Sequence, residues 1–495
     1  MAPRYEGAPA PEAHDVVIVG AGISGINCAY RMQTAMPSAS FVVLESRGQL
    51  GGTWDLFQFP GARADTDLPT YGFSWYPWPF NQSVAEGPAI MSYLTKAVSE
   101  HNLQGRIRFR HKVISANWSS KEKSWSLVVT SQGSSKFFQA RFLVLGAGYY
   151  DYEAPLPAEV PGLRNFQGAV IHPQFWPAGF EYEGKRIAII GSGSTATTIF
   201  PEIAKKAAKT TMIQRSPSYI HSGNLATRLP QLPSCVSRWF PQPLAQRLER
   251  LYFIVVPYLL VQFCLRFPAL ARSLMRREAA QYLPPRIRLE PHFEPRYNVW
   301  EQRPSISPDG EFFRAFHRPG TELVTGEIEA VTDRQILMSG GESLDVDVIV
   351  TATGFRLKLG GDIDLRVDGE SVSLKGRLIW NRAMFEGIPN LVYMIGYERH
   401  SWTFGVDNTA IILTRLIRHM SRNCVTAAVP WPPKDMAGSS GTEPFWQLSS
   451  TYCTLANGEL PIYGKQGHWK HKDKPPIDWL YARWGNITED MMFSV

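Results

Sequence analysis

Two glycine-rich turns carry the most legible chemistry in this chain: Gly20-Ala-Gly-Ile-Ser-Gly25 and Gly191-Ser-Gly-Ser-Thr-Ala196. Gly20 permits a tight turn, Gly22 lets the main chain approach a diphosphate, and Gly25 lets a helix pack closely on a strand. Ser24 adds a hydroxyl donor at the start of that helix, where free N–H groups and the macrodipole favour an anion. In the second turn Gly191 and Gly193 repeat the first two roles. Ser194 and Thr195 open its helix, and Ala196 is small enough for close packing. Two such turns imply two nucleotides on one chain. The strands that follow them end differently. Glu45 is placed to accept hydrogen bonds from a ribose 2′-hydroxyl, so the first site suits FAD. Arg215 can grip an additional phosphate bidentately and Ser216 can donate to it, so the second site suits NADPH rather than NADH.

The elements that must hold these groups are equally local. Residues 15–19 are an apolar, β-branched run, as expected of a strand buried in a parallel sheet. Residues 23–34 have helical composition, and 41–44 form the next strand, ending at Glu45. The pattern repeats with strands at 185–190 and 210–214. The fold class that follows is α/β, with two Rossmann-like dinucleotide-binding domains. From 222 to 302 the pattern gives way to Leu-, Phe- and Arg-rich sequence with helical spacing, read as a helical insertion in the second domain. The expected division is 1–150 and 380–495 for the FAD domain, and 151–221 with 303–379 for the NADPH domain. Gly146-Ala-Gly148 and residues 347–355 are the crossings between them, and residues 388–396 the closing strand.

The segment between the two turns reads Phe166-x-Gly168-x-x-x-His172-x-x-x-Trp176-Pro177. Together with the turns, in this order, it resembles the class B flavin-dependent Baeyer–Villiger monooxygenases, which use FAD, NADPH and O₂ to place oxygen beside a ketone carbonyl. The likeness runs through nearly the whole chain. Residues 171–174, 212–217, 297–303, 396–397 and 401–403 sharpen it to a mycobacterial subgroup of broad ketone range that also oxidises thioamide sulfur.

The resemblance implies roles for individual residues. Thr53 and Trp54, in Gly51-Gly-Thr-Trp54, lie against the flavin. Asp65, in Phe59-Pro-Gly-Ala-Arg63-Ala-Asp65, lies near its reactive edge, and the Val113 main chain contacts the adenine. Arg303 matches the family's active-site arginine, with Asp65 holding and tuning it. A fixed cation there stabilises a C4a-peroxyflavin and the anionic ketone adduct that rearranges to an ester or lactone. His172 and Trp176 serve the motion between domains. The chain departs from the family pattern at Gln302, where many members carry lysine for the NADPH phosphate. The rival functions are an N- or S-oxygenating flavin monooxygenase and an NADPH-dependent flavoprotein that does not oxygenate.

Bulk properties bound the rest. A chain of 495 residues exceeds one core, and 44% hydrophobic with 19% charged content is ordinary for a globular protein. The net charge of +7 comes from 51 basic and 44 acidic residues spread along the chain, without the spacing of a nucleic-acid site. Cys28, Cys235, Cys264, Cys424 and Cys453 are scattered, and no Cys-x-x-Cys is present, which argues against a disulfide reductase and for a cytoplasmic setting. No metal site is expected. Residues 1–14, rich in Ala and Pro, read as a disordered lead-in. Residues 251–265 are strongly apolar but shorter than the ~20 residues of a spanning helix, and Pro257 interrupts them. They read as a buried or pocket-lining helix. Contact with a membrane surface, helped by Arg272, Arg276 and Arg277, is the alternative. The aromatic cluster at 71–80 and the apolar insertion suggest an apolar ketone as substrate, although aromatic runs more often serve as core; the expected partners are a small-molecule ketone, or a sulfide, and O₂.

Overall fold

The strand Glu12–Val19 runs through the centre of the first sheet, with Val16, Val17 and Ile18 wholly buried. It pairs in parallel with Phe41–Leu44 on one side and Ser134–Leu145 on the other. Apolar side chains are needed on both faces because both are covered. The helix Ile23–Ala35, backed by Trp402–Arg422, packs on one face, and a β-meander (Lys112–Ser119, Ser124–Ser131 and Ser134–Leu145) extends the sheet. This sheet holds eleven strands among the described residues. The structure, a computed structural model, describes residues 10–79, 84–223, 239–433, 436 and 441–495.

The second sheet is parallel throughout, in the order Thr321–Thr325, Lys209–Gln214, Arg186–Ile190, Val348–Thr351, Ala169–Ile171. Its central strand again leads through a glycine turn into a helix, Ser194–Ile203. Both sheets therefore aim the carboxyl ends of their first strands, and the amino ends of the helices that follow, at one crevice.

Four expectations need correction. Residues 12–14 are strand rather than lead-in, because Glu12, Ala13 and His14 find ladder partners at Phe138, Gln139 and Ala140. The rest of the proposed lead-in, 1–9, lies outside the described residues. Asp364–Val367 pairs in parallel with Ser115–Trp118, so the chain rejoins the first sheet before residue 380. The closing strand is only Leu391–Tyr393, since Pro389 before it has no N–H to donate and after it the Ile395 N–H turns back to the Tyr393 carbonyl.

The fourth concerns the insertion, which holds two helices, Gln242–Arg266 and Pro268–Tyr282. The first runs 25 residues, straight through Pro257, and is neither short nor buried: over its most apolar stretch only 11% of residues are inside. None of its residues lines the central cavity. Its two halves stay in one helix while packed on the short helix Leu68–Tyr71 and on Pro475–Trp484. Residues 224–238, including Cys235, lie outside the described residues.

The aromatic run at 71–80 serves mostly as core. Trp75 stacks between Tyr30 at 3.7 Å and Phe73 at 4.5 Å, and Tyr93 packs on Phe73 and Trp78. Only Tyr71 of this run reaches the cavity; Phe80 lies outside the described residues.

Candidate active site

One cavity of roughly 1010 Å³ lies between the two sheets, and both glycine turns open into it. At one end it is lined by Gly20, Gly22, Ser24 and Glu45, with Thr53, Trp54 and Val113 further along. At the other end stand Gly191, Gly193, Ser194 and Thr195, with Arg215 and Ser216 at the strand terminus. Asp65 and Arg303 line it as well. Gly25 and Ala196 are buried beneath the turns, where they set the helix-to-strand distance rather than face a ligand.

The first turn fits a diphosphate. Gly20 adopts φ +97°, open to glycine alone at little cost, and a Cβ on Gly25 would run into the Gly20 carbonyl oxygen. The helix that follows has no side-chain cap and no acidic residue in its first turn, leaving its N–H groups free for an anion. Glu45 is buried and holds the turn: its carboxylate accepts from the Ala21 N–H at 2.7 Å and from the Arg47 N–H at 2.8 Å. A carboxylate has about four lone-pair sites, so capacity remains for a ribose hydroxyl. The Ser24 hydroxyl accepts from the Trp402 indole at 2.9 Å and keeps its own proton to donate. Thr53 is hydrogen-bonded to the Tyr152 hydroxyl at 3.0 Å, and the Trp54 indole donates to Tyr71.

The second turn repeats this arrangement. The helix Ser194–Ile203 also lacks a side-chain cap and a first-turn acid. Arg215 and Ser216 are exposed at the end of Lys209–Gln214, and the Ser216 carbonyl accepts from the Ser192 hydroxyl at 3.0 Å, fixing the loop while both side chains stay free to meet a phosphate. Gln302 donates to the Ser449 carbonyl at 3.5 Å and lines the same cavity.

Arg303 is held by main-chain oxygens: it donates to the Asp65 carbonyl at 3.0 Å and the Glu398 carbonyl at 3.5 Å. Asp65 therefore does hold Arg303, but through its backbone rather than its carboxylate. The carboxylate lies 3.9 Å from Arg63 and against the Ser194 hydroxyl, and Arg63 pairs with Glu311 across the crevice. Burial pushes Asp65 up to about 6, opposed by the charges of Arg63 and Arg303. Behind Arg303 the corner is cationic. His400 is driven down to about 3 by burial and by Arg303, Arg399 and Arg382, while burial raises Glu398 to about 7.

A stability prediction arises here. The folded protein holds the Asp65 proton more tightly than the unfolded chain, so this group's contribution is present in acid and lost as pH rises through about 6. A displacement of this size corresponds to about 3 kcal/mol at most. For cofactor-free protein, the Tm of the parent relative to Asp65→Asn should fall by a few degrees between pH 5 and pH 8. A Tm difference independent of pH would remove the assignment.

The linker motif joins the halves. His172 meets the Gly354 carbonyl at 3.2 Å and packs edge-on against Phe355, on the second crossing between the sheets. Trp176 packs against Phe180 and Tyr182 at the rim of the second core. Several lining residues carried no sequence signal of their own, among them Phe57, Tyr149, Tyr150, Tyr152 and Tyr452. Tyr149 and Tyr150 follow the glycine crossing at 146–148, which was the available clue. No described cysteine lines the cavity, and no described cluster of His, Cys, Asp and Glu could hold a metal.

A family model described as pyridine nucleotide-disulphide oxidoreductase matches residues 17–229. The chain is 36% identical over 482 residues to the FAD-containing monooxygenase EthA of Mycolicibacterium smegmatis, covering 97% of each. Among solved structures, an oxidized steroid monooxygenase bound to NADP superposes with TM-score 0.73 at 22% identity, over 97% of this chain and 99% of that one. A cyclohexanone-bound cyclohexanone monooxygenase gives TM-score 0.70 at 19% identity, over 98% and 100%. These structures share the fold.

Proposed function

The chain belongs to the FAD-containing monooxygenases, and from that premise we propose that it is a Baeyer–Villiger enzyme, inserting one atom of O₂ beside the carbonyl of an apolar ketone. One observation carries this reading above the others. Arg303 is a guanidinium fixed by two main-chain carbonyls on the wall of the cavity into which both glycine turns open.

FAD and NADPH, when bound, would supply the reducing equivalents with which O₂ is activated. Gly20, Gly22, Ser24 and the free N–H groups of the first helix would hold the FAD diphosphate, with Glu45 on its ribose. Gly191, Gly193, Ser194 and Thr195 would hold that of NADPH, with Arg215 and Ser216 on its extra phosphate. Arg303 then places a preorganised cation where negative charge develops on the ketone oxygen during addition and rearrangement. The rings of Phe57, Phe355 and Tyr150, 4.7 to 5.6 Å apart, make an apolar wall beside it and exclude water. That wall suits a ketone without charge.

The test is NADPH consumption over a panel of linear and cyclic ketones with a sulfide alongside, and mass detection of products that gain one oxygen. Ester or lactone formation is expected. Sulfoxide formation with every ketone untouched would replace this reading by heteroatom oxygenation.

Two further results are expected. Arg215→Ala should raise KM for NADPH roughly 10- to 100-fold, the worth of one charge-assisted contact, and leave KM for NADH nearly unchanged. An unaltered NADPH/NADH preference would assign the phosphate to another residue. His172→Ala should retain bound flavin but release severalfold more hydrogen peroxide per NADPH, because it loosens the tie between linker and second crossing that lets the halves close over the reacting groups. A fully coupled variant, or one that simply loses flavin, would refute the hinge role.

A further inference from the structure

The helix Gln242–Arg266 lies on the protein body but is not covered by it. Arg250, midway along, donates to the carbonyls of Pro69 at 2.6 Å and Gly72 at 3.0 Å, and Ile254 is buried in a small cluster with Tyr397 and Phe404. These contacts fix one face inward and hold the helix along the surface, so it cannot cross a bilayer. The opposite face is apolar. Leu244, Leu248, Leu251 and Leu259 share one stripe at helical spacing; all four are more than a third exposed, Leu251 and Leu259 more than half. An eighteen-residue stretch of this helix has mean hydropathy 1.6.

Neighbouring elements continue the patch. Pro475–Trp484, packed beside the helix, exposes Ile477, Leu480 and Trp484 at i, i+3 and i+7. Pro268–Tyr282 exposes Leu270 and Leu274, with Phe267 just before it. Contiguous exposed apolar surface of this kind marks an interaction site.

The charges on the patch select the occupant. Arg266 continues the leucine stripe at the end of the first helix, and Arg277 continues Leu270 and Leu274 at i+7; both are exposed. The acidic side chains of these helices are turned away: Glu249 is half-buried, and Glu278 accepts from the Ser222 main chain at 2.8 Å. Leucines rimmed by arginine, with a tryptophan at the margin, are the composition of a surface that sits in the headgroup region of a bilayer. We propose that this face docks the enzyme on an anionic phospholipid surface, without spanning it.

The full-length holoenzyme should co-sediment with vesicles of phosphatidylcholine mixed with phosphatidylglycerol, and more weakly with phosphatidylcholine alone. The triple variant Leu248→Glu, Leu251→Glu, Leu259→Glu should bind at least about tenfold less while keeping parental flavin content and Tm. Arg266→Glu with Arg277→Glu should abolish the preference for the anionic vesicles and leave the weaker binding. Three results would overturn the proposal: a parent that stays in the supernatant with both vesicles, a leucine variant that pellets like the parent, or a soluble dimer of the parent that the leucine substitutions split. The last would assign the face to a second copy of the chain.

Discussion

Arg303→Ala should leave flavin reduction by NADPH close to the parental rate while cutting ester formation by about 10²–10³-fold, the cost of removing one preorganised charge from a developing oxyanion. Hydride transfer needs the two cofactors side by side, which on the proposed reading the glycine turns and strand ends would arrange without Arg303. Oxygenation needs the cation as well. The substitution also strips a donor from the carbonyls of Asp65 and Glu398, 3.0 and 3.5 Å away, and removes a charge that lowers the Asp65 carboxyl. Arg303→Lys separates these effects: a point charge without the planar fork should recover part of the ester yield. Stopped-flow reduction and product yield are measured on the same preparations. Parental ester yield from the alanine variant would take Arg303 out of the mechanism; loss of reduction together with yield would make its role one of folding or cofactor binding.

Gly25→Ala should give a protein that carries at least about tenfold less FAD, judged by flavin absorbance per chain, with a lowered Tm that added FAD only partly restores. A methyl at this position runs into the Gly20 carbonyl group, so the obstacle is backbone and no rotamer change relieves it. The helix Ile23–Ala35 must move off the sheet, carrying with it the free N–H groups that would face the diphosphate. The second turn supplies an internal control, because Ala196 occupies the matching place there and is accommodated wholly buried. Ala196→Gly is therefore expected to be mild. Stoichiometric flavin in Gly25→Ala would mean that the two turns tolerate a methyl equally and that this contact does not govern affinity.

Much of the site was legible because its signals are short-range. A glycine turn, the strand before it and the residue ending the next strand lie within about thirty residues, and the steric and hydrogen-bonding demands of a dinucleotide act on them directly. Gly20, Gly22, Glu45, Gly191, Gly193 and Arg215 could thus be assigned from spacing, and all line the cavity. Arg303 and Asp65 came from motif resemblance instead, since a lone arginine or aspartate has no local signature.

What only the tertiary structure decided depends on groups far apart in the chain. Arg303 reaches Asp65 across 238 residues and finds its carbonyl, leaving the carboxylate to Arg63 and Ser194. Trp402 reaches Ser24 across 378 and so joins the closing helix to the first turn. Which side of an acidic residue a guanidinium meets is set by packing, which spacing does not encode. The apolar segment around Pro257 makes the same point in reverse. Its composition declares hydrophobicity, but whether such a helix is buried depends on what other elements cover it, and here one face is buried among the described residues while the leucine stripe stays exposed.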